Sequence, residues 1–338
     1  MRNLTSLDRD FQLKMDQLVT ASFAHPIYNS NHANYYRSTQ NLVCLSDHSI
    51  VIVDHNGTPV VGVKALSFRN PVSKKTLLSY FGNPAALFIS RDQHIDLINE
   101  GLISLARHFK SLNFTKILIE SEYFFRAYGY LNNHFNSEFF ELILKSSKKI
   151  DVEFERIINL DLTEDKLRER LSKSVVVATK QFDKTKIETR IASWADNKML
   201  ISESIRNIRS LHLASAGRLT RSAESWAIQE KQVLDGTMIS VNGFLQNENV
   251  HGSLFLLSNT SAYYGVSANL LRPGLSVSHL FLVEAMFFLK KIGVNHLYLG
   301  RQYENLSGVC DKKILSISKF KSFFGGFVTS NLVVNNET

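Results

Sequence analysis

Ala262-Tyr263-Tyr264-Gly265-Val266-Ser267-Ala268, the irregular segment 269–277, the apolar run 278–292, the short run 294–300 and, further on, Phe320-Lys321-Ser322-Phe323-Phe324-Gly325-Gly326 decide how this chain is read. The first run reads as a strand, residues 278–292 as a helix and residues 294–300 as a second strand. A strand feeding a loop that opens a helix is a standard holder of anionic ligands. The first helical turn leaves backbone N–H groups unpaired, and the aligned peptide dipoles favour negative charge there.

Outward from that stretch, the chain is long enough for two domains at 338 residues. Its 23 Phe and 11 Tyr are ample for sizeable cores. The formal net charge of +8 suits an anionic partner, such as a nucleotide, coenzyme A, RNA or a phospholipid surface, or marks a basic surface with no such partner. Cys44 and Cys310 are isolated, so neither a disulfide framework nor a zinc site is expected, and no metal. Residues 1–13 carry Arg2, Asp8, Arg9 and Asp10 in place of a signal-peptide apolar core. The most apolar segment, 280–289, contains Glu284 and is too short to span a bilayer. A cytoplasmic protein without a transmembrane segment is the expectation.

The two halves share a grammar. In the first, residues 50–53 and 60–67 are β-branched runs around the hairpin signal Asn56-Gly57. Residues 76–81 read as a strand, 92–112 as a helix with Ile95, Ile98, Leu102, Leu105, Ala106 and Phe109 on one stripe, and 117–119 as a buried strand. In the second, strands at 237–241, 250–257 and 261–267 precede the helix from Ser278 and the strand from Val294. Between the halves, 161–182 reads as helical with a capping box of Asp161 and Glu164, followed by helices at 198–216 and 222–234. The expected fold class is α/β (α+β), in two tandem units: each a mixed, mostly antiparallel sheet flanked by helices. The units are expected at 1–150 and 151–338, with the C-terminal strand available to complete the first. The first is expected to be non-catalytic, because residues 83–92 hold no glycine-rich anion loop.

The pattern resembles the FemAB-like branch of the GNAT acyltransferase superfamily, in which two GNAT units share one chain. The residues that carry the likeness are Ser22-Phe23-Ala24-His25-Pro26, Ile158 to Leu162 with Leu171 to Ser174, and His212 with Gly217 to Ser222 and Ser225-Trp226. Tyr263 to Ala268, His279 to Glu284, and Phe320-Lys321 with Phe324-Gly325-Gly326 complete it. The branch contains enzymes that build peptidoglycan cross-bridges from aminoacyl-tRNA, and enzymes that move an acyl group from acyl-CoA to an amine, including amines on nucleotide-linked sugars. The sequence lacks the long charged helical hairpin of many tRNA users. It also has no base after Gly326, where the bridge builders carry an arginine. Both departures favour acyl-CoA.

The resemblance implies that the strand after the hairpin accepts the donor's pantetheine amides through Val266, Ser267 and Ala268. Its pyrophosphate would rest on Arg272, Gly274, Ser276 and Ser278, although this loop has one glycine where the family has two. His279, in the first helical turn, is either a general base or a helix-start residue. Glu284 is either a base with a raised pKa or an ion-pair partner of Lys291 or of a neighbouring domain. Tyr303 is a candidate proton donor to the leaving thiolate, or a surface tyrosine. Tyr263 and Tyr264 alternate faces, and Tyr264 is taken as the one in the cleft. Arg218 and Arg221, on one face if helical, and Trp226 would hold phosphate and a stacked base, or pair with Glu224 and Glu230; Arg301 joins them as a substrate contact. Lys321, amid Phe320 and Phe323, either has its head near an anion or in a cleft or snorkels to solvent, and the resemblance makes it the strongest single site residue. The reading that results is an N-acyltransferase moving an acyl group from acyl-CoA to a nucleotide-linked amino sugar for surface-polysaccharide synthesis. The alternatives are an aminoacyl-tRNA-dependent bridge-forming transferase and a non-catalytic GNAT-like binding protein.

Overall fold

The computed structural model describes residues 1–22, 25–28, 32–33, 35, 43–69, 76–80, 85–90, 92–109, 116–120, 149–182, 187–258, 260–270, 277–303 and 311–335. They form two compact units. One comprises Met1–Ala24, Tyr28–Glu153 and Thr329–Thr338; the other comprises His25–Ile27 and Phe154–Val328.

The first unit contains β1 (Arg2–Thr5), α1 (Phe11–Ala21), β2 (Val43–Asp47), β3 (Ile50–Val53), β4 (Pro59–Lys64), β5 (Leu66–Arg69), β6 (Thr76–Ser79), β7 (Ala85–Ile89), α2 (Ile95–Phe109) and β8 (Lys116–Glu120). The β3–β4 hairpin turns at Gly57, whose φ of +76° suits the Asn-Gly signal. The run 60–67 does not make one strand. It breaks after Lys64, β4 stays in the main sheet, and β5 joins β2 and β6 in a separate three-stranded sheet.

The second unit contains the Phe154–Asn159 part of β9 (Lys149–Asn159), α3 (Glu164–Glu169), α4 (Lys173–Phe182), β10 (Ile187–Ala192), α5 (Lys198–Ala216) and α6 (Ala223–Leu234). β11 (Met238–Leu245), β12 (Glu248–Ser258), β13 (Ser261–Asn269), α7 (Val277–Lys291), β14 (His296–Gln302) and α8 (Lys312–Ser322) follow. The last strand, β15 (Phe327–Asn335), pairs through Asn331–Asn335 with β8 of the first unit.

The region 161–182 is two helices, not one. Thr163 caps α3, its Oγ1 accepting the Lys166 N–H at 3.4 Å, and Ser172 Oγ accepts the Val175 N–H at the start of α4. An N-cap must directly precede the first helical residue, which Thr163 does and Asp161 does not. α5 and α6 fall where their end signals place them. Asn197 and Ser222 cap their starts, and Gly217 closes α5 in the left-handed region at φ +66°.

Strand order shows the internal repeat that the sequence only suggests. The first unit runs β1-β3-β4-β7-β8-β15 and the second β10-β11-β12-β13-β14-β9. Each has one parallel pair, β7 with β8 and β13 with β14, and a helix connects each pair. A parallel pair needs such a crossover. The second core forms where α7 lies on this sheet. Phe281, Leu282, Val283, Ala285, Met286 and Leu289 are buried with Phe255, Leu297 and Leu299. Each large side chain so buried contributes roughly 1.5–3 kcal/mol.

After α8 the chain must reverse in very little space. Gly326 has φ +75°, and a Cβ there would stand 2.2 Å from the Ile157 carbonyl oxygen. Strain and overlap act together, so Gly326→Ala is expected to cost at least about 2 kcal/mol. Urea unfolding measures this; an unchanged midpoint would rule out this turn.

Candidate functional site

The site is built on two irregularities of the second sheet. Against β12, Tyr264 faces Phe255 and Val266 faces Leu254, so Gly265 is an extra residue and β13 bulges there. On its other side β13 pairs with β14 only at Ser261–Tyr263 with His296–Tyr298. Among the described residues, the stretch 264–269 therefore has no strand on that side. Its edge N–H and C=O groups can accept an extended amide chain. β14 bulges in turn between Tyr298 and Gly300 against β9.

Gly300 is where side chains converge. It has φ +81°, and a Cβ there would lie 3.4 Å from both Lys321 Nζ and the Tyr263 ring. Lys321, from the last turn of α8, donates to the Arg301 carbonyl oxygen at 2.8 Å. Burial pushes the Lys321 ammonium down to about 8, and the nearby Glu155 carboxylate opposes that shift. Glu155 is buried on β9, opposite Arg301 in register. It lies 3.0 Å through Oε1 from His25 Nε2. His25 stands just before the 3₁₀ turn Pro26–Tyr28, with its ring edge-on to Tyr263 at 4.5 Å and to Tyr298 at 4.9 Å.

A polar brace holds α8 against this point. Arg156 Nε donates to Gln302 Oε1 at 3.0 Å, and its Nη1 donates to the Gly325 carbonyl at 2.9 Å. Ser318, buried on α8, accepts the Tyr303 N–H through Oγ at 2.9 Å.

The structure sorts the sequence-predicted residues. Lys321 is at the convergence, and Arg301 takes part through its carbonyl while its side chain is exposed. Tyr263, not Tyr264, stands with His25 and Lys321. Tyr264 turns to the core against Phe255 at 5.2 Å, and burial pushes its hydroxyl up to about 12. His279 lies among the rings of Phe320, Phe323 and Phe324 at 5.1, 5.6 and 5.8 Å, a packing position. Tyr303 is exposed just beyond β14. Val266, Ser267 and Ala268 lie on the strand-free stretch of β13, with Ser267 exposed, and Ser278 is half-buried at the start of α7. Arg272, Gly274 and Ser276 lie outside the described residues.

The Arg218–Trp226 group does not form as expected. α5 ends at Ala216 and α6 begins at Ala223, so Arg218 and Arg221 lie on a loop with no shared helical face. Arg218 is exposed. Arg221 sits over the Trp226 ring at 5.6 Å, and His212 packs edge-on to the same ring at 5.7 Å. Trp226 is only 5% exposed, so it presents no open face for a nucleobase. Glu284 is half-buried; burial raises its pKa and Arg168 opposes the rise.

A cleft of about 370 Å³ lies elsewhere in this unit, lined in part by Thr189, Arg190, Glu203, Ser204, Asn207 and Asn242. It holds none of the predicted site residues, and its Arg190 already pairs with Glu188 at 2.7 Å. Among the described residues, no group of three or more His, Cys, Asp and Glu could hold a metal. No described helix is long and apolar enough to cross a membrane.

Sequence reasoning assigned no role to His25, Glu155 or Tyr263. Glu155 had a signal. It shares one face of β9 with the buried Ile157, so a carboxylate stands where the pleat calls for an apolar residue.

No protein-family model matches the sequence, and no curated protein matches it. Solved structures do resemble it. FemX aligns with a TM-score of 0.64 at 10% identity, covering 99% of this chain and 98% of FemX. The C-terminal domain (DUF2156) of a putative lysylphosphatidylglycerol synthetase from Agrobacterium fabrum gives 0.55 at 8%, covering 97% and 93%. L-PGS from Bacillus licheniformis gives 0.54 at 9%, covering 96% and 91%. These likenesses show the fold alone: the chain has a FemX-like fold, α+β, with mixed sheets flanked by helices.

The Lys321 environment predicts a titration near pH 8, well below the ordinary 10.5. The folded state therefore gains relative stability from Lys321 above about 10.5 and loses it as pH falls through about 8. Glu155→Gln removes the carboxylate that holds the proton on, so the midpoint should fall further. NMR of a ¹³Cε-labelled lysine follows both, and an unperturbed midpoint would refute the geometry.

Proposed function

We propose that the second unit is an N-acyltransferase that moves an acyl group from an activated carrier to an amine. The observation that carries this is the parting of β13 from β14 at the point where Lys321, Tyr263 and Glu155 gather. The strand-free edge at 264–269 would receive the donor's amide chain, and its N–H groups would face the reacting carbonyl as an oxyanion hole. Lys321, pushed down to about 8 by burial, is still mostly charged at neutral pH yet gives up its proton more readily than an ordinary lysine. It can stabilise the developing oxyanion or protonate a departing thiolate. Tyr263 takes the place first assigned to Tyr264. Val266, Ser267, Ala268 and Ser278 are the proposed donor contacts, with Tyr303 and Arg301 at the exposed mouth. His279 is left a packing role. The first unit is proposed to be non-catalytic.

The donor we favour is acyl-CoA and the acceptor a nucleotide-linked amino sugar, in a cytoplasmic step of surface-polysaccharide synthesis. The net charge of +8 supports an anionic acceptor. Arg218 and Arg301 are the exposed cations proposed for it, since Trp226 offers no stacking face. A second reading, transfer from aminoacyl-tRNA to a peptidoglycan precursor, draws support from the likeness to FemX.

Calorimetry with CoA, then with a nucleotide-linked amino sugar, separates the two. Heat from both supports acyl-CoA transfer; no binding at millimolar CoA, with charging-dependent transfer from tRNA, supports the second. With whichever donor turns over, Lys321→Ala should lower kcat/KM by about 10²-fold or more. A normal rate would make Lys321 structural.

A further inference from the structure

Three residues of the N-terminal segment, His25–Ile27, belong to the second unit rather than to the first that surrounds them in sequence. They bring one imidazole to one buried carboxylate. The hydrogen bonds fix its tautomer. His25 Nδ1 accepts the Ile27 backbone N–H at 3.2 Å, so the ring proton is on Nε2, which donates to Glu155 Oε1 at 3.0 Å. With both nitrogens engaged, the ring has no lone pair left for a substrate. The tyrosine rings of Tyr263 and Tyr298, edge-on at 4.5 and 4.9 Å, restrain its plane.

Glu155 is a different matter. One oxygen is held by His25, and among the described residues no hydrogen bond engages the second. The charged and titratable groups around it are His25 from the N-terminal segment, Lys321 from α8, and Tyr263, Tyr298 and Arg301 from β13 and β14. The carboxylate acts on Lys321 through its field, while the Lys321 hydrogen bond goes to the Arg301 carbonyl. A buried carboxylate held by a donor of fixed tautomer, beside a half-buried ammonium, is an oriented proton acceptor.

We infer that Glu155 takes the proton from the attacking amine, and that His25 is the positioning residue that aims its carboxylate. This rests on the acyltransferase reading above. The neutral amine attacks the acyl carbon, and an N–C bond forms as the C–S bond breaks, its electron pair leaving on sulfur. The amine proton goes to Glu155 Oε2, and the thiolate takes a proton from the Lys321 ammonium. Proton exchange between protonated Glu155 and neutral Lys321 restores the starting state.

The test is the pH dependence of kcat/KM for the full chain with its working donor, beside ¹⁵N NMR of the histidines. Glu155→Gln should lower the rate by about 10²–10⁴-fold and abolish the acidic limb of the profile. Glu155→Asp, which keeps the charge but retracts it, should fall between the two with a normal circular-dichroism spectrum. His25→Ala removes a hydrogen bond that favours the ionised carboxylate, so the acidic limb should move to higher pH; His25→Asn, which can still donate, should move it partly back. Wild-type turnover by Glu155→Gln overturns the role of Glu155. A slower His25→Ala with an unmoved profile overturns that of His25. If no acyl donor is turned over by the wild type, the acyltransferase reading itself fails. The NMR arm stands apart from turnover: His25 should show a protonated Nε2 whose signal shifts in Glu155→Gln, and an unprotonated Nε2 overturns the pair.

Discussion

Gly300 sits where Lys321 and Tyr263 approach β14 to within van der Waals contact of a Cβ it does not have. Its left-handed φ of +81°, which a residue with a Cβ adopts only under strain, is the turn at which a strand, a helix end and a tyrosine meet. The left-handed φ there follows from the bulge that opens β14 against β9. The brace of Arg156, Gln302 and Ser318 keeps α8 in reach, so Lys321 is delivered by a rigid element. A Cβ at position 300 would meet Lys321 and Tyr263 at ordinary contact distance, so strain at a φ of +81°, not crowding, is what keeps this position glycine.

Burial of a charge is not by itself a mark of function in this chain. Lys64 is also pushed down to about 8 by burial, yet its ammonium is committed to the Tyr28 carbonyl oxygen at 2.6 Å, with Asp16 at 3.8 Å. It fixes the end of the turn that follows His25. His251 is pushed down to about 4 and lies stacked on Phe281, bridged to Asn269 and Ser253. That is a neutral core imidazole. Lys321 differs in position: it stands at the end of a strand edge that has no partner strand among the described residues.

Periodicity and end signals made most elements legible. α5 and α6 carry caps that point to their own ends, and the Asn56-Gly57 turn specifies its hairpin. The break inside 60–67 was not legible, because both halves are apolar and β-branched and only the tertiary context sends them to different sheets. The same limit applies to the site. Lys321 could be found from its aromatic neighbours in sequence, but His25 and Glu155 are 130 positions apart (155 − 25) and meet only through the fold. The choice between Tyr263 and Tyr264 turned on which face of β13 is the core, and alternation alone does not say which.

β15 carries a further consequence. It closes the outer edge of β8, yet it is made after every other element of both sheets. On a chain synthesised from its N-terminus, β8 emerges early and presents a bare row of peptide groups while the second unit is still being translated. That interval is when the nascent polypeptide is most open to wrong strand partners, its own β9 or another copy's. A frameshift or premature stop that removes only these closing residues would leave the residues that meet at Gly300 intact in sequence and the first sheet permanently unsealed.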